Sequence, residues 1–395
     1  MQNSKELFKK YIAQTSTFDA FQIDVANAEG IYVYDKAGKK YIDLMSGIAV
    51  SNIGHRHPEV IKAIKKQVDK YLHVMVYGEF IESPQVKLAK RLADLLPDTL
   101  NMTFFVNSGS EAIEGAMKLA RKYNKRSEII AFKGGYHGST LGAVSILGDE
   151  KYKQDFRPLI PDVKILEFNN NKDLSQITDK TSCVVIEVIQ AGSGIRIPNR
   201  EFLKKLRQKC TETGTLLIFD EIQTGFGRTG KLFAFEHYDV IPDVLCIAKS
   251  MGGGMPIGAF ISSNIIMDSL NDSHPLLGHA TTFGGHPVSC AASLAALNVL
   301  INNNIMDEVE DKANLFKSYL KDQPNIKEIR NVGLFMAIEL KDSSEIDKVV
   351  ERCIENGVIT YWFLYNHDSL SIIPPLTITN EEIKEACDRL IKALN

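Results

Sequence analysis

The chain has 395 residues, room for two domains, and its 44% hydrophobic and 24% charged residues are the balance of an ordinary soluble globular protein. A formal net charge of −3 gives no electrostatic footprint for nucleic acid, and no apolar run approaches membrane-spanning length. The six cysteines are scattered, which fits reduced, packed thiols in a cytoplasm better than a disulfide frame or a zinc site.

The N-terminal MQNSKELFKKYIAQTS is polar and lacks the apolar core of a signal peptide. Residues 31–45 read as a hairpin, IYVYD then AGK then KYIDL, with Gly38 in the turn. His55 and His57 lie beside Gly54 and Pro58 with no third ligand close in sequence, so a polar loop fits them better than a metal. From residue 58 to 265, helical patterns alternate with short β runs: MTFFV, EIIAF, VKIL, CVVIEV, TLLIFD and DVLCIA. That alternation predicts an α/β fold with a mostly parallel, buried sheet. SEAIEGAMKLARKY and REFLKKLRQKCTETG are helices of this unit, and a small-residue-rich helix, HPVSCAASLAALNVL, follows. Beyond it, GLFMAIEL, GVITYWF and the terminal helix NEEIKEACDRLIKAL predict a smaller α+β domain that the N-terminal arm joins. The expected division is 1–50 for the arm and part of the small domain, 51–300 for the large domain and 301–395 for the rest of the small one.

Ligands of open parallel sheets bind beyond the carboxyl ends of the strands. Those positions here are Asn107-Ser108-Gly109-Ser110 after MTFFV, Lys133 to Gly138 after EIIAF, and Glu187 in CVVIEV. Asp220-Glu221-Ile222-Gln223 follows TLLIF, and Lys249 follows DVLCIA. Ser108 to Ser110 at a helix start fits a phosphate site or an ordinary N-cap. Asp220 ends an apolar strand, where a carboxylate needs a cation or donors. Tyr136 fits stacking on a flat ligand or plain core packing, and His137 fits a polar contact or a structural role. Lys249 is the sharpest signal: partial burial lowers an amine's pKa and makes it a nucleophile towards a carbonyl. Gly252, Gly253 and Gly254 then allow backbone to approach a ligand. A lysine, an acid, an aromatic ring and a phosphate cradle at one edge answer the functional groups of pyridoxal 5′-phosphate. Gly225 to Lys231 also fits the first seven positions of a nucleotide P-loop, but the eighth is Leu232 and the preceding strand ends too early, at Asp220.

The motifs DLMSGIAVSNIGHRHPEV, FFVNSGSEAIEGAMKLAR, GGYHGST, FDEIQTGFGRTG, AKSMGGGMPIGAF and TTFGGHPVSCAASLAAL together resemble the class III (ω-amino-acid) aminotransferases of fold type I, of the acetylornithine or 4-aminobutyrate kind. The resemblance implies a homodimer with shared active sites. It implies Lys249 as Schiff-base lysine and proton shuttle, Asp220 on the pyridine nitrogen and Gln223 on the phenolic oxygen. It places Gly109 and Ser110 on the phosphate together with Thr282 of the partner subunit, and Tyr136 and Ile222 on the two ring faces. Ser108, His137 and Glu187 complete the expected cofactor site. Racemases, epimerases and aminomutases on the same scaffold share this set. The sequence departs from the family where substrate carboxylates are gripped. Ser139 and Ser371 stand where arginines are usual, and Gly192 stands in place of the glutamate that pairs with the second one. Serine does not replace an arginine fork. The expectation is an enzyme that does not read glutamate through that pair, with Arg56 and Arg196 as candidate substitutes and Tyr77, Tyr361 and Trp362 as candidate pocket walls.

Overall fold

The computed structural model describes residues 4–13, 15, 23–76, 78–271 and 278–395. At its centre lies a seven-stranded sheet in the order Met102–Val106, Gly258–Ser262, Val244–Ile247, Leu216–Asp220, Thr181–Glu187, Glu128–Phe132, Val163–Leu166. Gly258–Ser262 runs antiparallel to both neighbours, and the pairings from Val244–Ile247 across to Val163–Leu166 are all parallel.

The sheet forms because its strands are apolar on both faces. Every residue of Thr181–Glu187 is buried. Successive residues point to opposite faces, and the cores divide accordingly. Cys183, Val185, Leu216, Ile218 and Cys246 pack under the helix Gly109–Asn124. Val184, Ile186, Leu217, Phe219 and Leu245 belong to the larger core, with the helix Arg200–Thr213. That second helix is punctuated at both ends. The Asn199 side chain accepts the Glu201 N–H at its start, and Gly214, at φ 63°, ends it in the left-handed conformation that glycine adopts without strain.

The predicted 31–45 hairpin forms from Tyr32–Asp35 and Lys40–Asp43. It extends into a four-stranded sheet whose far edge is Val358–Ile359, parallel to Lys40–Asp43, so segments early and late in the chain share one sheet. Ile326–Val332, Phe335–Leu340, Asn366–Ile372 and Trp362–Phe363 make a third sheet. GVITYWF is therefore not one strand. It breaks at Thr360, whose hydroxyl donates to Ser371 O at 2.7 Å, and its halves join different sheets.

The Gly225–Lys231 stretch is an interior turn with no phosphate-binding geometry. Arg228 is fully buried and donates to Leu334 O, Pro374 O and Asn52 Oδ1 at 3.0, 2.6 and 2.6 Å. A Cβ on Gly227 would lie 2.9 Å from Leu376 and 3.0 Å from Leu300, leaving no room for a nucleotide. Burial lowers the Arg228 pKa to about 9, partly opposed by Asp43. His55 bonds to Asp43, and the His57 ring caps a helix. All six cysteines are buried and free. No single described helix is long and apolar enough to cross a membrane.

Candidate active site

The carboxyl ends of five strands open into one cavity of about 980 Å³. Its phosphate-sized corner is the start of the helix Gly109–Asn124. Ser108 is the N-cap, its Oγ accepting the Glu111 N–H at 3.2 Å, so capping and a ligand role coexist here. Gly109 is glycine because a Cβ would meet Ile222 Cδ1 at 2.8 Å. Ser110 Oγ accepts the Ser139 N–H at 3.2 Å. Gly138, at φ 131°, makes room for it, since a Cβ there would stand 2.2 Å from that oxygen. The hydroxyl proton of Ser110 stays available beside the unpaired N–H groups of the helix start, which suits an anion.

The floor is a buried charge network. Asp220 Oδ1 accepts the Ile222 N–H at 3.0 Å, and Oδ2 lies 2.8 Å from His137 Nδ1, which places the His137 proton on Nδ1 because a carboxylate only accepts. His137 and Asp220 are 2% and 4% exposed, so both readings of His137 resolve into one: a buried residue that orients Asp220. Glu187 clamps two main-chain segments, accepting the Tyr136 N–H at 2.8 Å and the Ala191 N–H at 3.0 Å. Burial pushes its carboxyl up to about 7; the Asp220 charge adds to this, while His137 and the two N–H donors oppose it.

Lys249 stands at the end of Val244–Ile247 with φ 48°, a left-handed conformation that costs a non-glycine residue about 1 kcal/mol or more. Its Nζ donates to Gln223 Oε1 at 3.0 Å. Burial lowers its pKa, against the pull of Asp220 and Glu187. The three following glycines have separate causes. Gly254 faces open space in the cavity, whereas a Cβ on Gly253 would meet Ala296 at 2.9 Å and one on Gly252 would meet Ile257 at 3.1 Å. Only the first serves ligand approach.

The walls come from connecting segments. Tyr136, 39% exposed, stands over the floor, and burial of part of its ring raises its phenol pKa. On another side Ser46, Gly47, Ile48 and Ala49 have φ of 50°, 60°, 66° and 57°, a left-handed turn that puts Gly47 and Ile48 on the cavity. Such a run costs roughly 1–2 kcal/mol per non-glycine residue and persists only where it is over-determined. Asp43 Oδ1 accepts from Met45 N and Ser46 N at 2.8 and 2.9 Å, and Ser46 Oγ donates to Ile373 O at 2.7 Å. Sequence reasoning quoted DLMSG as a motif but missed this role; the signal was an acid two residues before the backbone it caps.

The remaining wall is Tyr361, Trp362, Phe363, Ser371 and Ile373, as expected for Tyr361 and Trp362. Tyr77 lies outside the described residues. Arg56 is exposed and off the cavity; Arg196 lies 5.1 Å over the Phe168 ring and bonds Gln190, also off it. Within one chain neither lines the cavity. Ser139 is exposed outside the lining and Thr282 is exposed on the surface, so within one chain Thr282 does not join the phosphate corner.

Ser108, Gly109, Ser110, Tyr136, His137, Glu187, Asp220, Ile222, Gln223 and Lys249 all line this cavity. An amine of lowered pKa, an oriented buried carboxylate and an anion-binding helix start fit pyridoxal 5′-phosphate in aldehyde, ring nitrogen and phosphate. A family profile for class-III aminotransferases matches residues 13–394. The chain is 38% identical to the acetylornithine aminotransferase of Methanopyrus kandleri over 99% of both chains. It is 35% identical to a [LysW]-aminoadipate semialdehyde/glutamate semialdehyde transaminase of Sulfolobus acidocaldarius over 94% of this chain and 95% of that one. Among solved structures, a transaminase from a marine Virgibacillus matches with a TM-score of 0.93 and 28% identity, covering 100% of this chain and 98% of that one. The ornithine aminotransferase of Toxoplasma gondii matches at 0.91 and 29%, covering 100% and 95%. The chain belongs to the class III aminotransferases, enzymes that work with pyridoxal 5′-phosphate.

Proposed function

We propose that this aminotransferase moves the amino group of an ω-amino acid or amine to a keto acid in two half-reactions at one cavity, with Lys249 holding the cofactor and moving the proton. The observation that carries the assignment is the position of Lys249 Nζ, bonded to Gln223 above the buried His137–Asp220 pair, at the sheet edge that also bears the helix start of Gly109. When bound, pyridoxal 5′-phosphate supplies a carbonyl carbon for the amino group and a ring that accepts the electron pair left on the substrate carbon. Lys249, its pKa lowered by burial, takes a proton from that carbon as base and delivers it as acid. Asp220, oriented by His137 and Ile222 N–H, holds the ring nitrogen. Ser108, Gly109 and Ser110 hold the phosphate, Tyr136 and Ile222 cover the two ring faces, and Gln223 orients the ring oxygen and the Lys249 amine. Glu187 keeps the Tyr136 main chain in place.

A homodimer completes the site in this reading. Leu72, Phe80, Ile81 and Phe283 are exposed, Ile81 by 90%, and Phe283 packs on His73 beside Thr282. Large exposed apolar side chains of this kind favour a protein contact, and it would carry Thr282 to the partner's phosphate corner. The pairing of Lys40–Asp43 with Val358–Ile359 in one sheet supports the division into 1–50, 51–300 and 301–395. Six reduced, buried thiols favour the cytoplasm. The test is to add single amines to the holoenzyme and follow the cofactor's absorbance. An aminotransferase converts it and releases a carbonyl product, and a keto acid restores it. An unchanged spectrum with racemised or rearranged amine would point to the other chemistries of the scaffold.

A further inference from the structure

The loop from Gln190 to Arg196 reads Gln-Ala-Gly-Ser-Gly-Ile-Arg, a composition with little to hold itself in place. Its ends pair main chain to main chain at 3.1 and 3.0 Å, and one turn, Gly194 N–H to Ala191 O at 3.2 Å, spans the middle. Yet the loop sits beside the reacting groups. Ala191 and Gly192 line the cavity. The Ala191 N–H donates to one oxygen of Glu187, whose other oxygen accepts the Tyr136 N–H. Ser193 Oγ also donates to Gly134 O at 2.8 Å, and Gln190 Nε2 to Lys133 O at 2.9 Å. The segment that carries Tyr136 therefore leans on this loop, directly and through Glu187.

The outer side of the loop is held by the third sheet. Tyr365, which sequence reasoning passed over, donates its N–H to Gly192 O at 2.8 Å, and its ring lies 3.2 Å from a Cβ placed at 192. Arg330 donates Nε–H to Gly194 O at 3.0 Å. The guanidinium is itself fixed across three strands. Nη1 donates to Glu339 and, at 2.7 Å, to Glu328, and Nη2 donates to Ser369 Oγ at 3.0 Å. Glu339 and Ser369 face each other in register. Gly194, at φ 76°, is glycine for this approach as well as for its left-handed turn. A Cβ there would stand 2.9 Å from Asn366 Cγ and 3.2 Å from Arg330 Nη2. A planar fork serves all these acceptors at once, which an ammonium does not.

We propose that Arg330, which does not line the cavity, is a positioning residue for the cofactor: it pins the 190–196 loop at Gly194 and so keeps Glu187 and Tyr136 in place beside the ring. The inference rests on the cofactor assignment above.

Hydrogen exchange of the full chain, with and without the cofactor, reads this positioning without turnover. In Arg330→Gln the amides of 191–194 and 134–136 should exchange at least about tenfold faster, as the loss of one charge-assisted bond implies, while those of Leu216–Asp220 stay within about twofold. The visible circular dichroism of the bound cofactor should fall to about half or less at equal saturation. Turnover of an amine that converts the parent should fall about tenfold. Arg330→Lys keeps the charge beside Glu339, so its urea midpoint should match the parent while exchange at 191–194 still rises about threefold or more. Glu328→Gln removes only an exposed ion-pair partner and should leave exchange and turnover within about twofold. Ser193→Ala should also slow turnover. Combined with Arg330→Gln it should cost no more than about twofold beyond the worse single variant, because both act through one loop. Unchanged exchange at 134–136 and unchanged dichroism in Arg330→Gln would overturn the inference, as would losses that multiply in the double variant. Where Arg330→Gln does not fold, Arg330→Lys decides by the same two readouts. If borohydride fixes the cofactor on Lys249 but the parent converts no amine, the aminotransferase reading falls, and exchange and dichroism still decide on Arg330. If the parent binds no cofactor, the inference falls with the assignment.

Discussion

The floor and the walls of the cavity are built in opposite ways. The floor grows out of the central sheet: Asp220 and Glu187 are the last residues of two neighbouring parallel strands, in register with each other, and Lys249 follows a third. Its groups are titratable and wholly or partly buried, and each has its own hydrogen-bond partner: Asp220 with His137, Lys249 with Gln223, and Glu187 with two main-chain N–H groups. The walls come from a left-handed turn at 46–49 and from the segment around 360–373, where the chain passes between two sheets. Their groups are neutral and apolar. A sheet edge gives a fixed set of reactive groups, while turns set what reaches them, and substrate choice can change without disturbing the chemistry.

If that division is right, substitutions in the floor should abolish turnover and substitutions in the walls should shift affinity. Lys249→Ala should lower turnover by at least about a thousandfold with the fold intact, as judged by circular dichroism beside steady-state rates. Asp220→Asn should cost roughly a hundredfold in turnover and weaken cofactor retention, measured by dialysis against buffer lacking it, because the carboxylate charge is lost while the shape is kept. Asp43→Ala in the wall should destabilise by about 2–3 kcal/mol, since the Met45 and Ser46 N–H groups lose their acceptor. Urea titration measures this, and KM should rise more than turnover falls.

The smallest effect sharpens the floor. Glu187 is pushed up to about 7, so its carboxyl holds a proton in the folded chain that the unfolded chain gives up near 4.5. This contribution favours the folded state in full below the unfolded value and is lost as pH rises through about 7. Glu187→Gln removes that slope. The variant should therefore gain on the parent by up to roughly 2–3 kcal/mol between pH 4.5 and 7.5, in paired urea titrations. Glu221, also raised to about 7 by burial, acts alike in both proteins and cancels.

The floor was legible because the physics that makes a buried parallel strand also makes its signature. Continuous apolar runs locate the sheet, and the polar residues just after them are its ligand edge. Ser108 to Ser110, Tyr136, His137, Glu187, Asp220, Ile222, Gln223 and Lys249 line the cavity, while Lys133 and Glu221 from the same stretches do not. The walls were not legible for equally physical reasons. Gly258–Ser262 begins with the glycine of a loop-like run and is not among the β runs named from the sequence. GVITYWF has the composition of one strand, and only the long-range bond from Thr360 to Ser371 reveals its break. Four left-handed residues in a row at 46–49 contain a single glycine, so nothing local marks them; the acceptors that hold them lie at 43 and 373. Tyr365 lies 3.2 Å from where a Cβ on Gly192 would stand, a contact between residues far apart in sequence that periodicity does not report.

Borohydride reduction of the cofactor-loaded protein, followed by peptide mass mapping, tests the sheet-edge assignment most directly. The account predicts a single adduct, on the peptide that carries Lys249. An adduct on another lysine, or none in a protein saturated with the cofactor, would contradict it.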